Sequence, residues 1–132
     1  MRDLRNDRMR RSGVREERLR ATAGLRSTPA LSSWRGHSGR RYIVGIHPFS
    51  ESELLDVTNA VILAVRRDET GTAHALDVAM AGSQPSTEAR TRWMNKIRDL
   101  GATELHLHRL AETDAQRRAI LEDLREAEKA LS

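Results

Sequence analysis

His106-Leu107-His108 is the arrangement in this chain most able to carry chemistry. Residues two apart on a strand share one side, about 7 Å apart along it. Two neutral imidazoles so placed can face one divalent metal, and Glu104, on the same column, adds an oxygen donor. His106, His108 and Glu104 are therefore the candidate metal ligands. His47 and His74 join them if their strands neighbour the one carrying the pair. The competing expectation is a solvated strand face, on which Glu and His are ordinary choices. His37 is read as solvated.

The His-hydrophobic-His pattern resembles the metal-binding motif of the HUH nucleases, the replication-initiator and relaxase superfamily. The resemblance spans three residues and implies a divalent metal beside a catalytic tyrosine that attacks DNA phosphate. The one tyrosine here, Tyr42, falls on an expected strand. The order of elements also resembles the outlines of restriction-endonuclease-like and ribonuclease-H-like folds. Their chemistry is missing. Asp77-Val78-Ala79 lacks the acid-x-Lys that would hold magnesium beside a lysine, and Arg40–His47 lacks the first-strand Asp. There is no Gly-rich phosphate loop, Gly-x-Ser-x-Gly elbow or His-Glu-x-x-His helix.

The second signal is charge. The 132 residues carry 23 Lys+Arg against 19 Asp+Glu, a net +4. Residues 1–41 hold twelve Arg and four acids, a local +8, which leaves −4 for residues 42–132. Arg5, Arg8, Arg10, Arg11, Arg15, Arg18 and Arg20 are the candidate contacts for nucleic acid or an acidic protein, since guanidinium forks match phosphate and carboxylate. Against that, a GC-rich genome also enriches Arg, and Asp3, Asp7, Glu16 and Glu17 interrupt the run. An aromatic platform for single strands would have to come from Trp34.

Composition excludes several classes. Without cysteine there are no disulfides, thiolate zinc sites, iron–sulfur clusters or thiol catalysis. No apolar run approaches the roughly 20 residues of a membrane span, and no signal peptide precedes the basic start. A cytoplasmic protein with no membrane partner is the expectation.

These residues need elements to position them. Residues 1–13 are too polar to offset the entropy of ordering. Val14–Arg26 carries a poor helical stripe, and Ser27–Gly39 reads as a linker that Trp34 anchors to the body. Arg40–His47, Asn59–Arg66, Thr72–Ala81 and Ala102–Leu110 read as strands. Asn59–Arg66 is apolar throughout, hence central, with both faces covered. In Thr72–Ala81, alternation puts His74, Leu76, Val78 and Met80 on one face and Ala73, Ala75, Asp77 and Ala79 on the other. Asp68–Gly71 is a hairpin turn. Ser50–Asp56 predicts a short helical turn. Thr87–Leu100, capped by Ser86 and stopped by Gly101, predicts a helix. Thr113 with Gln116 is a capping box opening the last helix. The charges of EDLREAEK read as its solvated side, and the Arg117-Arg118 pair in its first turn opposes the helix dipole.

The expected fold is α+β: a four-stranded mixed sheet in the order β-β-β-α-β-α, helices mainly on one face, preceded by a basic arm. Residues 1–36 are the arm and linker, and 37–132 the domain. The leading function is a small bacterial, non-catalytic binding or regulatory module without cofactor, whose arm contacts an acidic partner, nucleic acid included. One alternative is a metal-dependent phosphodiesterase or nuclease built on the His-x-His strand. The other is a structural subunit that pairs through an exposed edge at Arg40–His47.

Overall fold

The computed structural model describes residues 16–18, 30–83 and 86–129. Six strands form one sheet: β1 (Glu16–Arg18), β2 (Leu31–Arg35), β3 (Arg41–Pro48), β4 (Ala60–Arg67), β5 (Ala73–Ala81) and β6 (Glu104–His108). The helices are α1 (Glu51–Asp56), α2 (Thr87–Asp99) and α3 (Asp114–Lys129). The α+β class and the four expected strands are present. So are the two long helices and the short one after Pro48. None of these helices is long and apolar enough to cross a membrane.

Strand number and direction depart from expectation. The order is β1-β2-β3-β6-β4-β5, and every pairing is antiparallel, so the sheet is not mixed. β5 and β6 do run the same way, but β4 lies between them, and α2 carries the chain across it. The stretch expected to link arm and body contains β2, paired with β3 from Leu31↔Gly45 to Arg35↔Arg41. Its only large apolar residues are Leu31 and Trp34, too few to mark a strand in isolation. β3, flanked by β2 and β6, is not the exposed edge that Arg40–His47 was expected to be. At Val14–Arg26, residues 16–18 are a strand and the rest lies outside the described residues, as do 1–13.

The helices cover both faces. One core joins Trp34, Tyr42, Val44, Val61, Leu63 and Val65 to Leu124 and Ala127 of α3. The other joins Ile62, Ala64, Leu105 and Leu107 to Leu54 of α1 and to Met94 and Ile97 of α2. β4 is buried along six consecutive residues. A strand of that kind cannot leave one face wet, so one-sided helices were incompatible with its own sequence.

Alternation along β5 breaks at a bulge, where Ala64↔Asp77 is followed by Val65↔Ala75. Leu76 is the extra residue. Val78 therefore joins the core of Ala73 and Ala75, while Leu76 packs in the other.

The local signals behave as the chemistry demands, with one exception. Gly71 takes φ +85° in the β4–β5 turn. Gly101 N–H bonds Arg98 and Ala102 N–H bonds Ile97, closing α2 with a left-handed residue. Thr113 Oγ1 accepts from Gln116 N–H, and Gln116 Oε1 accepts from Thr113 N–H, completing the capping box. Ser86 stands at the N-cap of α2 but makes no side-chain cap bond. Arg117 at the start of α3 is matched by Asp114 at 2.8 Å and by the Ala111 carbonyl.

Candidate functional site

β6 lies inside the sheet, between β3 and β4. His106 and His108 do share a face, the one under α3. That face is not solvated: His106 is 0% exposed and His108 5%. The covering residues come from far along the chain, so the motif itself could not show them.

Trp34 Nε1–H donates to His106 Nδ1 at 2.9 Å, reaching across β3. An accepting Nδ1 places the ring proton on Nε2, which lies 2.9 Å from Glu104 Oε1. Glu104 in turn receives both arms of Arg67, at 2.7 and 2.9 Å. Burial pushes the Glu104 carboxyl up, but Arg67 and the His106 ring outweigh it and hold it below the usual carboxylate range. The result is one chain of hydrogen bonds, Trp34 to His106 to Glu104 to Arg67, spanning β2, β6 and β4. Two of the three candidate metal ligands are bonded to each other within it. Among the described residues, no group of three His, Asp or Glu is arranged to hold a metal.

His108 goes elsewhere. Its Nδ1–H donates to the Ile43 carbonyl at 2.7 Å, and its ring meets that of Tyr42 edge-on, centroids 5.6 Å apart. His47 and His74 do not converge on the pair. His47 is opposite Leu105 on the other face, and His74 Nε2 lies 2.7 Å from Asp68 Oδ2 beside the β4–β5 turn. Thr70 and His74 hold the Asp68 carboxyl well below its usual range.

His108 borders a cleft of about 540 Å³ between the β2–β3 turn and α3, lined also by Arg40, Tyr42, Leu110, Gln116 and Asp123. Asp123, expected on a solvated helix side, is the clasp of this region. Its carboxylate accepts from Ser38 N–H at 2.8 Å, Ser38 Oγ–H at 2.7 Å and Tyr42 O–H at 2.6 Å. Burial raises the Asp123 carboxyl, and the Tyr42 and Ser38 bonds more than offset it, leaving it below the ordinary range. No local pattern marks this clasp, because Ser38 and Asp123 are 85 residues apart.

The Tyr42 hydroxyl is pushed up to about 12, first by burial and then by Asp123. A raised folded-state value means a contribution that is whole below the unfolded value of about 10 and is lost as pH rises toward 12. Tyr42 is the only tyrosine, so phenolate absorbance reads it directly. The expected midpoint is near 12 in the folded chain. Asp123→Asn should bring it only part of the way toward 10, because burial remains. A midpoint near 10 in the unaltered folded protein refutes the clasp.

Of the candidate arm contacts, Arg18 ends β1, which pairs with β2 through Arg18↔Ser32. Arg5, Arg8, Arg10, Arg11, Arg15 and Arg20 lie outside the described residues. Trp34 is fully buried and bonded to His106, so it offers no stacking platform. Comparison with protein-family models, with curated proteins and with solved structures found no match for the chain.

Proposed function

We propose that the chain is a non-catalytic binding module whose Arg-rich amino-terminal segment contacts an acidic partner, nucleic acid included. One observation carries this reading: His106 and Glu104 are bonded to each other and to Trp34 and Arg67 inside the sheet. The residues best suited to metal chemistry thus serve the fold, and the strongest remaining signal is the +8 of residues 1–41. Arginines at that density release counterions from a polyanion, which gives strongly salt-dependent association.

The test keeps the chain whole, because β1 belongs to the sheet. Arg5, Arg8, Arg10, Arg11 and Arg15 are replaced together by Gln, and binding to a labelled 20-nucleotide DNA or RNA is followed from 50 to 200 mM salt. The unaltered chain should weaken steeply with salt. Each lost phosphate contact should flatten the log–log slope by about 0.7 to 0.9. Equal slopes and affinities for the two proteins would reject the arm as the contact.

A further inference from the structure

The cleft between the β2–β3 turn and α3 holds a polar atom that the fold does not use. His108 is 5% exposed, and its Nδ1–H donates to the Ile43 carbonyl. In the neutral ring Nε2 is then a bare acceptor. It has no hydrogen-bond partner among the described residues, yet it is not one of the polar atoms sealed from solvent. The cavity of about 540 Å³ that His108 lines is its outlet. Polar atoms on so buried a ring are normally paired. An acceptor left open to a cavity calls for a donor from outside the chain.

The rest of the lining says what else that molecule carries. Asp123 is already saturated, by two donors from Ser38 and one from Tyr42. Arg40, exposed on the turn, and Glu112, exposed ahead of α3, are not. Neither side chain has a hydrogen bond or ion pair among the described residues. Gln116 turns its Oε1 to the N–H groups of Glu112 and Thr113, which leaves its amide N–H groups as donors. Leu110, 68% exposed, and Ile120 form an aliphatic wall. Arg40 and Gln116 thus offer donors to a carboxylate, and His108 Nε2 and Glu112 offer acceptors to an N–H or O–H. An apolar lining with a few placed polar groups is the make-up of a small-molecule site.

We propose that this cleft binds a small aliphatic carboxylic acid with a hydrogen-bond donor beside its carboxyl, an α-amino or α-hydroxy acid. The carboxylate meets Arg40 and Gln116, the amino or hydroxyl group donates to His108 Nε2, and the aliphatic body covers Leu110 and Ile120. A phosphate fits less well, because a dianion would face the carboxylates of Glu112 and Asp123 with a single guanidinium to answer it. A nucleobase finds no open aromatic face, since Tyr42 is 9% exposed and meets His108 edge-on. The Asp123 clasp fixes the turn against α3, so the two walls are set before the ligand arrives. The site belongs to the folded body and does not depend on what the amino-terminal arm contacts.

The probes are free leucine and 2-hydroxy-4-methylpentanoate, titrated into the ¹⁵N-labelled full chain, with 4-methylpentanoate and inorganic phosphate as controls. At least one of the first two should shift the amides of Tyr42, His108 and Ile120 together with the His108 Nε2 signal. The tighter of the pair identifies the donor: leucine if Glu112 takes an ammonium, the hydroxy acid if His108 alone is met. The donor-free 4-methylpentanoate should bind about tenfold more weakly than that ligand. Arg40→Gln should weaken binding by a similar factor, and Ala119→Trp, which fills the cleft from α3, should abolish it. Both positions are exposed, so the thermal transition should stay in place. No shift of these signals by either acid at about 10 mM overturns the proposal. So does equal affinity for 4-methylpentanoate, phosphate binding as tight as that of the organic acids, or binding that both variants leave unchanged.

Discussion

His106→Leu is expected to lower the stability of the fold by about 2–4 kcal/mol, seen as an earlier denaturation midpoint with an unchanged slope. Leucine nearly matches the imidazole in volume, so the loss is mainly polar. The buried Trp34 N–H loses its acceptor and Glu104 loses one donor, though Arg67 still holds it. A buried unsatisfied donor costs about 1–3 kcal/mol, and more where the partner is charged. Pairing the change with Trp34→Phe removes the donor as well, so the double variant should recover part of the loss left by His106→Leu. That recovery separates a structural network from a metal site. In a metal site, His106→Leu would alter divalent-ion affinity while the fold kept its stability, and Trp34→Phe would restore nothing. A loss below about 1 kcal/mol would show that the bonds from Trp34 to Arg67 do not hold the sheet together.

The parts of this fold legible in the sequence are those in which chemistry and outcome share a few neighbouring residues. The unbroken apolar run of β4 announces a strand with two buried faces. Gly71 and Gly101 mark the positions where the backbone turns left-handed. Thr113 and Gln116 bond each other as their spacing says. What stayed hidden depends on neighbours that are distant in the chain. Nothing in Leu31–Arg35 says that its two serines will be buried beside Trp34, because their partners belong to β3. Nothing in β6 says that it will insert between β3 and β4, and that insertion makes the sheet wholly antiparallel. The bulge at Leu76 shifts every residue after it to the other face, and strict alternation has no means of placing such a step.

The candidate site follows the same division. That His106 and His108 share a side is a property of a strand and is readable. Whether that side meets water is a property of Trp34, 72 residues away, and of α3. Burial reverses the meaning of the motif. On a wet face two imidazoles keep nitrogens available to a metal. Under α3, each histidine is bonded to fixed groups of the protein, because buried polar atoms left unpaired would destabilise the fold. Asp123 shows the converse. Its surroundings in EDLREAEK look solvated, and its role depends on the turn at Gly36–Arg40 folding back onto α3.

That turn supplies the other large expected effect. Gly36→Ala should destabilise the fold by about 2–4 kcal/mol. A Cβ built on Gly36 falls 2.1 Å from Asp123 Oδ2 and 2.5 Å from its Cγ. The φ of Gly36 is not positive, so the backbone itself would accept alanine, and the conflict is with the carboxylate alone. That carboxylate is not free to swing aside. It would forfeit the bonds from Ser38 and Tyr42, and the His37 N–H bond to the Asp123 carbonyl ties the same turn to α3. Asp123→Ala removes both the obstacle and the clasp. In that background Gly36→Ala should cost less than about 1 kcal/mol, a non-additivity of contacting residues readable in a double-mutant cycle. Acid supplies an independent check. The Asp123 carboxyl is depressed in the folded state, so its contribution is whole above the ordinary carboxylate value and is lost as pH falls through the folded one. Gly36→Ala, with the carboxylate already displaced, should show a shallower acid loss than the unaltered chain. Additive losses in the cycle, or parallel acid profiles, would mean that the turn and α3 are joined by something other than this clasp.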